Sequence, residues 1–274
     1  MAVTITADWE VEYGGFKWSS ILELDGIDGL PRVRSGNVDR SWADGEVTGP
    51  LFLSARVVTL TAELCGDDLR AQLDAMAAAT VPSGGVRPLS FRAQHDEPRR
   101  LFAQVTDRAV VGDQRLALGS TTVVVQFTAT DPRIYADDSE RSGTTGVGSI
   151  TDGLGFPHGF PHGFGEAESG AIETTNAGNV SAPWTATLTG PLSGPFIELT
   201  STGERLSWSS LTIEEGQTLE VDMLTRTAKL NGTASRFPGP SRDWFEIPPG
   251  DDSVTLGAAA GSGTLTLRWR DTFL

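Results

Sequence analysis

The chain has 274 residues, more than one domain of ordinary size needs and about right for two. Hydrophobic residues make up 38% and charged residues 21%, enough to bury a core and unlike a disordered tail or a membrane bundle. A net charge of −15 argues against a surface built to grip nucleic acid, because phosphate binding needs several positive side chains acting together.

Met1 to Trp9 lacks a basic stretch followed by a long apolar run, and nowhere do about 18 apolar residues follow one another. Neither a leader nor a membrane span is expected, and the chain reads as a soluble protein. Asp25 to Pro50 is rich in Gly, Asp and Arg, with Trp42 inside it and Phe52 just beyond. A loop this long in a compact domain is usually functional or ordered by a partner, so it reads as a subunit contact. Val58, Leu60, Ala62 and Leu64 alternate with Thr59, Thr61 and Glu63, the period of a half-buried strand. Cys65, the only cysteine, ends it; no intramolecular disulfide can form, and the thiol reads as a small hydrophobe. A helix is predicted to open at Asp67, whose carboxylate caps the first turn, and to stop before Pro82, with Leu69, Leu73, Met76 and Ala77 as its apolar stripe. Pro88 to Ala93 and Leu101 to Val111 read as shorter strands, and Val123, Val125, Phe127 and Ala129 as another long one.

Composition then places the domain boundaries. Residues 1–138 form the first domain, residues 139–178 a Gly/Pro-rich linker, and residues 179–274 the second domain. The linker contains the repeat Phe156-Pro157-His158-Gly159-Phe160-Pro161-His162-Gly163-Phe164, whose prolines favour an extended path. Phe156, Phe160 and Phe164 are the candidate inter-domain hooks. Beyond it, short strands are predicted around Trp184–Leu188, Phe196–Leu199, Leu219–Met223, Ala228–Leu230 and Leu265–Trp269, with Asn231-Gly232 as a tight turn. Several short strands separated by turn clusters point to a β-sandwich.

Chemistry-bearing patterns are sparse. His158 and His162 have metal-binding helical spacing, but the intervening Pro and Gly residues deny them a helix, and His95 stands alone in a charged turn. There is no G-x-S-x-G elbow. The acid pairs Asp67-Asp68, Asp137-Asp138, Glu214-Glu215 and Asp251-Asp252 are neighbours in sequence rather than carboxyls facing across a bond. Asp25-Gly26-Ile27-Asp28-Gly29 does not recur as a calcium repeat would, and Gly143 to Gly148 has neither dinucleotide-loop spacing nor a P-loop lysine. No catalytic residue, metal or cofactor is expected, and the chain does not read as an enzyme. Among the tryptophans, Trp184 and Trp269 lie in register with core positions, leaving Trp208, flanked by serines, and Trp244 as candidates for a sugar-stacking platform.

Two series of residues carry a family resemblance. Phe127-Thr128-Ala129-Thr130-Asp131-Pro132-Arg133-Ile134-Tyr135, a strand running into a D-P-x-x-Y-like closure, resembles the end of the N-terminal domain of siphophage tail-tip proteins. The Phe-Pro repeat is similar to aromatic-proline linkers in tail proteins of phages of actinobacteria. Asn176-Ala177-Gly178-Asn179-Val180-Ser181-Ala182-Pro183-Trp184, Gly190-Pro191, Glu215 to Asp222, Thr225 to Gly232, Ile247-Pro248-Pro249-Gly250 and Leu267 to Asp271 follow in the order of the siphovirus-type tail component C-terminal domain. The chain thus resembles the distal tail protein (Dit) family over nearly its whole length.

The resemblance implies a mostly β protein: an N-terminal β-sandwich with one α-helix, ring-forming and tail-tube-like, and a C-terminal galectin-like β-sandwich. It implies a structural virion protein at the tail tip, made in the host cytoplasm, whose self-assembly into a hexameric ring forms a hub joining the tail-tube protein to the tail-tip or baseplate hub protein. The tape-measure protein is a further implied partner. DNA would pass through the bore without specific binding, and the acidity then reads as a wall that repels phosphate. Larger relatives carry inserted carbohydrate-binding modules for which this chain has no room. A carbohydrate-binding role at the host surface is the alternative function, and a tail-associated hydrolase a third reading, disfavoured by the missing nucleophile, metal set and facing acid pair.

Overall fold

The computed structural model describes residues 5, 7–82, 85–92, 97–137, 140–150, 167–168, 170–239 and 243–274. The chain divides into two units, Met1–Asp138 together with Leu274, and Ser139–Phe273. Both are built mostly of strands.

The first unit contains β1 (Glu10–Tyr13), β2 (Phe16–Trp18), β3 (Ile21–Asp25), β4 (Val33–Ser35), β5 (Val38–Asp39), β6 (Glu46–Val47), β7 (Leu51–Leu53) and β8 (Arg56–Cys65). Helix α1 (Leu69–Ala79), β9 (Arg87–Arg92), β10 (Arg99–Val110), α2 (Gln114–Ala117), β11 (Ser120–Ala129) and β12 (Ile134–Ala136) follow. Its main sheet runs β2-β1-β9-β10-β11-β8-β3, with β12 also on β10. The twelve-residue β10 joins two halves: Arg99–Ala103 pair with β9 and Gln104–Val110 with β11, across an irregularity at Thr106. In a flat sheet β1 and β11 would stand roughly 14 Å apart. Instead the Tyr13 and Phe127 rings are 5.0 Å apart, and Trp18 of β2 meets Phe127 edge-on at 6.4 Å. The sheet has curled on itself around an aromatic core.

Helix α1 packs on β8 and β2. It buries Leu69, Met76 and Ala79 while Leu73 and Ala77 are half-buried, so the buried line is rotated toward Ala79 from the expected stripe. The expected Asp67 cap is corrected as well. The N-cap is Asp68, which makes no side-chain cap bond, and its Oδ1 accepts from Gln72 Nε2 at 2.7 Å. The other end is held from outside: Arg108 of β10 donates to Ala77 O and Thr80 Oγ1, cation against carbonyl as the helix dipole favours. Sequence reading also missed β1 to β3 and the one-turn helix α2.

The D-P-x-x-Y closure has a physical basis. Tyr135 Oη donates to Asp131 Oδ2, Asp131 Oδ1 accepts from Arg133 N, and Pro132 O accepts from Arg56 Nε at 2.8 Å. Burial foremost, then the adjacent Asp131 carboxylate, push the Tyr135 phenol well above its ordinary 10.0. Below that value both folded and unfolded chains hold the proton; above it only the unfolded chain releases it, so stability falls as pH rises. Tyr135→Phe is therefore expected to flatten the loss of stability above pH 10 in urea titrations of the first unit, at some cost in stability near neutrality.

The second unit contains β13 (Arg141–Gly146), β14 (Ser149–Ile150), β15 (Ala167–Glu168), β16 (Ala171–Asn176), β17 (Trp184–Thr189), β18 (Leu192–Ser193), β19 (Phe196–Leu199), β20 (Arg205–Ser207) and β21 (Thr212–Ile213). It continues through β22 (Thr218–Asp222), β23 (Thr227–Leu230), β24 (Ala234–Ser235), β25 (Gly250–Gly257), β26 (Ala260–Gly261), β27 (Thr264–Trp269) and β28 (Thr272–Phe273). A sheet β13-β27-β17-β22-β23-β24 and a sheet β16-β25-β19-β20 enclose one core. The first contributes Trp184, Leu188, Val221 and Leu267, and the second Ile197, Leu206, Val254 and Leu256, each at alternate strand positions. This is the sandwich expected from the strand pattern. Asn231 and Gly232 both take positive φ, as the tight-turn reading requires, between β23 and β24.

The expected linker of residues 139–178 needs correction. Arg141–Gly146 pairs along its whole length with Thr264–Trp269, and Ala171–Asn176 with Gly250–Thr255, so both ends of that stretch are strands of the second unit. Arg141 reinforces this through two hydrogen bonds to Asp271, 2.9 and 2.7 Å. The Phe-Pro repeat, including Phe156, Phe160 and Phe164 with His158 and His162, lies outside the described residues, as does His95.

Candidate functional site: an exposed hairpin arm

The segment expected to be a loop is a two-stranded arm. Val33–Ser35 pairs with Leu51–Leu53 and Val38–Asp39 with Glu46–Val47. Between the two ladders Gly36 N donates to Pro50 O, and Asn37 holds both sides through Glu46 Oε2 and Gly49 N. With ten residues from Arg32 to the tip, the arm spans roughly 30 Å. It is exposed on both faces, yet it carries Val33, Val38, Val47, Leu51 and Phe52, and Trp42 at its tip is 98% exposed. An isolated two-stranded ribbon with apolar side chains on both faces has no core of its own, so its apolar surface suits a partner.

Its root is rigid. Arg56, at a core-facing position of β8, is 1% exposed and donates through Nη1 to Gly26 O, Ile27 O and Gly29 O at 2.8–2.9 Å and through Nε to Pro132 O. Gly26 is required beside it: its φ is +86°, and a Cβ there would lie 2.0 Å from Val57 O. Burial lowers the Arg56 pKa, against the opposing pull of Asp28, but a guanidinium keeps its proton and works as a charged clamp. The sequence offered little sign of this, since arginine at a core position breaks the hydrophobic alternation.

A second apolar patch lies where β10 turns into β11. Val110, Val111, Leu116 and Leu118 are exposed around α2, which Asp113 caps by accepting from Arg115 N.

The remaining sequence candidates fall elsewhere. Cys65 is exposed rather than buried. Trp208, expected at the surface, is 3% exposed, with its indole N–H donating to Arg236 O at 2.9 Å. Trp244 is half-buried and lines a surface depression with Phe245 and Arg226. Among the described residues, no group of three His, Cys, Asp or Glu side chains could hold a metal, and no helix is long and apolar enough to cross a membrane.

The family-like motifs of the second unit turn out to be architectural. Asn176, buried, uses all its amide capacity: Nδ2 donates to Val180 O and Ile247 O, and Oδ1 accepts from Gly178 N and Thr272 N. A Cβ on Gly178 would lie 1.7 Å from Thr272 O. Asn176→Ala removes the partner of Val180 O, Gly178 N and Thr272 N, while Ile247 O keeps its bond from Ala182 N, and is expected to lower stability of the second unit by about 2–3 kcal/mol in urea unfolding.

Residues 177–273 match the model of the siphovirus-type tail component, C-terminal domain. The second unit is thus similar to that domain. The resemblance to distal tail proteins carried by the second-half motifs therefore holds. The crystal structure of phage SPP1 Dit (gp 19.1), described as a paradigm of the hub adsorption apparatus in phages infecting Gram-positive bacteria, matches with a TM-score of 0.64 at 17% identity, over 98% of this chain and 100% of that one. Two structures of the phage P2 baseplate in its activated conformation, with Ca and with Sr, match at TM-scores of 0.47 and 0.48 and identities of 11% and 10%. They cover 96% and 94% of this chain, and 97% of each matched chain. No curated protein matches. The mostly β fold of this chain is similar to that of the SPP1 protein.

Proposed function

We propose that the chain is a structural hub of a phage tail, in which copies of the first unit close into a hexameric ring between the tail tube and the tail tip, with a bore that DNA crosses. The hairpin arm carries this reading: a rigidly rooted ribbon with apolar side chains on both faces is made to lie against a neighbour. A closed ring needs two different surfaces on each copy, one docking on the other head to tail. The arm and the patch around α2 supply such a pair on one unit.

Virion localisation follows from this role, with the tail-tube protein and the tip or baseplate protein as partners on opposite faces and the tape-measure protein inside. Synthesis in the host cytoplasm belongs to the same reading. The net charge of −15 suits passage of DNA without retention. Native mass measurement of the purified chain is the test, with immunogold labelling of assembled tails. A closed oligomer at the tail tip is expected; a strict monomer that never enters virions overturns the reading.

A further inference from the structure

The two faces of the arm differ in charge. Arg34 lies opposite Phe52 and Val38 opposite Val47, while Val33, Ser35 and Asp39 lie opposite Leu53, Leu51 and Glu46. Between the ladders the pairing slips by one residue, from Gly36 against Pro50 to Val38 against Val47, with the extra residue on the returning strand. Side-chain alternation therefore carries unbroken from Arg32 to Arg40. One face holds Arg32, Arg34 and Arg40 beside Val38, Val47 and Phe52. The other holds Asp39 and Glu46 beside Val33, Leu51 and Leu53, and the bond from Asn37 Nδ2 to Glu46 Oε2, 2.8 Å, places Asn37 there too. All three arginines are exposed, and their guanidinium groups make no hydrogen bond or ion pair among the described residues.

The patch around α2 has the opposite border. Its apolar part is Val110, Val111, Leu116 and Leu118, the last 83% exposed. Directly after Leu118, Gly119 O accepts from Gly66 N at 3.0 Å, and Ser120 Oγ donates to Glu63 Oε1 at 2.6 Å. Glu63 and the exposed Asp67 and Asp68, which follow Gly66, therefore border the patch. Arg115 of α2 is already held by Asp113 at 2.8 Å, which leaves that border negative.

We propose that the arm of one copy docks on the α2 patch of a second copy through its arginine face, an inference that rests on the ring reading and specifies how the ring is held. Val38, Val47 and Phe52 meet the exposed leucines and valines of the patch, and the arginines meet its acidic border. The opposite face would set Asp39 and Glu46 against Glu63, Asp67 and Asp68, so charge decides which way the arm lies. Copies with a net charge of −15 repel one another, and three unpaired guanidinium groups on a projecting ribbon supply a local attraction that also orients the approach. Association held in this way weakens as salt screens it.

Native mass spectrometry of the full chain is the test, with two variants that alter only exposed side chains. Replacing Arg32, Arg34 and Arg40 together with glutamate is expected to weaken assembly roughly a hundredfold or more, and Leu116→Asp with Leu118→Asp to do the same from the patch side. Each variant should keep the parent's unfolding temperature. Mixed in equal amounts, the two should form a heterodimer and nothing larger, because one intact arm and one intact patch remain. Adding Asp67→Arg to the arginine-reversed chain should recover part of its assembly, whereas Asp39→Asn with Glu46→Gln in the parent should cost none. Raising salt to about 0.5 M should weaken the parent assembly roughly tenfold. The inference is overturned if the arginine-reversed chain assembles as the parent does, if the leucine variant still associates through its arms alone, or if the mixture gives no heterodimer. A parent chain that stays single even at low salt overturns the ring reading as well.

Discussion

Replacing Trp42 and Phe52 together with aspartate is expected to convert the proposed ring into single chains while leaving the thermal unfolding of each unit unchanged. Both side chains are exposed in the single chain, so no core packing is lost. In the proposed ring each is buried against the next copy, where a large aromatic typically contributes about 2 kcal/mol or more to an interface. Two such losses at every interface, with a carboxylate driven into each apolar contact, weaken association by roughly a thousandfold or more. Native mass spectrometry reads the result directly. A doubly substituted chain that still assembles at the parent's concentration would remove the arm from the interface and leave the hub reading without its main support.

Arg56→Met is expected to lower stability of the first unit by about 3–5 kcal/mol, because methionine fills much of the arginine stem's volume but leaves the carbonyls of Gly26, Ile27, Gly29 and Pro132 without their donor. Urea unfolding of the full chain measures the loss. Limited proteolysis should show early cleavage near residues 26–32, since the clamp joins the arm's root to the D-P-x-x-Y closure. Arg56→Lys should recover only part of the loss, an ammonium being unable to reach four carbonyls spread around a planar guanidinium. A Met variant as stable as the parent would show that these bonds merely replace hydration.

Strands that bury one face against a sheet partner were readable in advance. β8, β11, β17 and β27 all show strict alternation, because burial of every second side chain is a local signature of a nonlocal contact. β1 escaped notice for the opposite reason. Its four residues are all buried, but two are glutamates: Glu10 is neutralised by Lys17 at 2.7 Å, and Glu12 accepts from Gly15 N. A charged residue paired on folding looks like a surface residue in sequence.

The same limit explains the linker. Ser142, Gly143, Thr144 and Thr145 have the composition of a flexible connection, yet they form β13 because Thr264–Trp269, more than a hundred residues later, supplies the hydrogen-bonding edge. Gly143 even requires its missing side chain there, since a Cβ would lie 2.3 Å from Ile172 Cγ2. Trp208 follows the same logic in reverse. Flanking serines suggested exposure, whereas the turn carrying it folds the indole onto the core and its N–H onto a backbone carbonyl.

The binary pattern, the lone cysteine and the turn residues were thus sufficient for a two-part, mostly β chain without an intramolecular disulfide, and the motif order was sufficient for its likeness to the tail-component domain, since these depend on local periodicity and on residue identity. Which tryptophan meets solvent, that the long Gly- and Asp-rich segment is a two-stranded arm rather than a loop, and that a core arginine holds its root were decided only on folding. Each depends on carbonyls, ring faces and strand edges brought together from distant parts of the chain. The length noted first is sharpened accordingly: it resolves into an arm-bearing curled sheet and a β-sandwich.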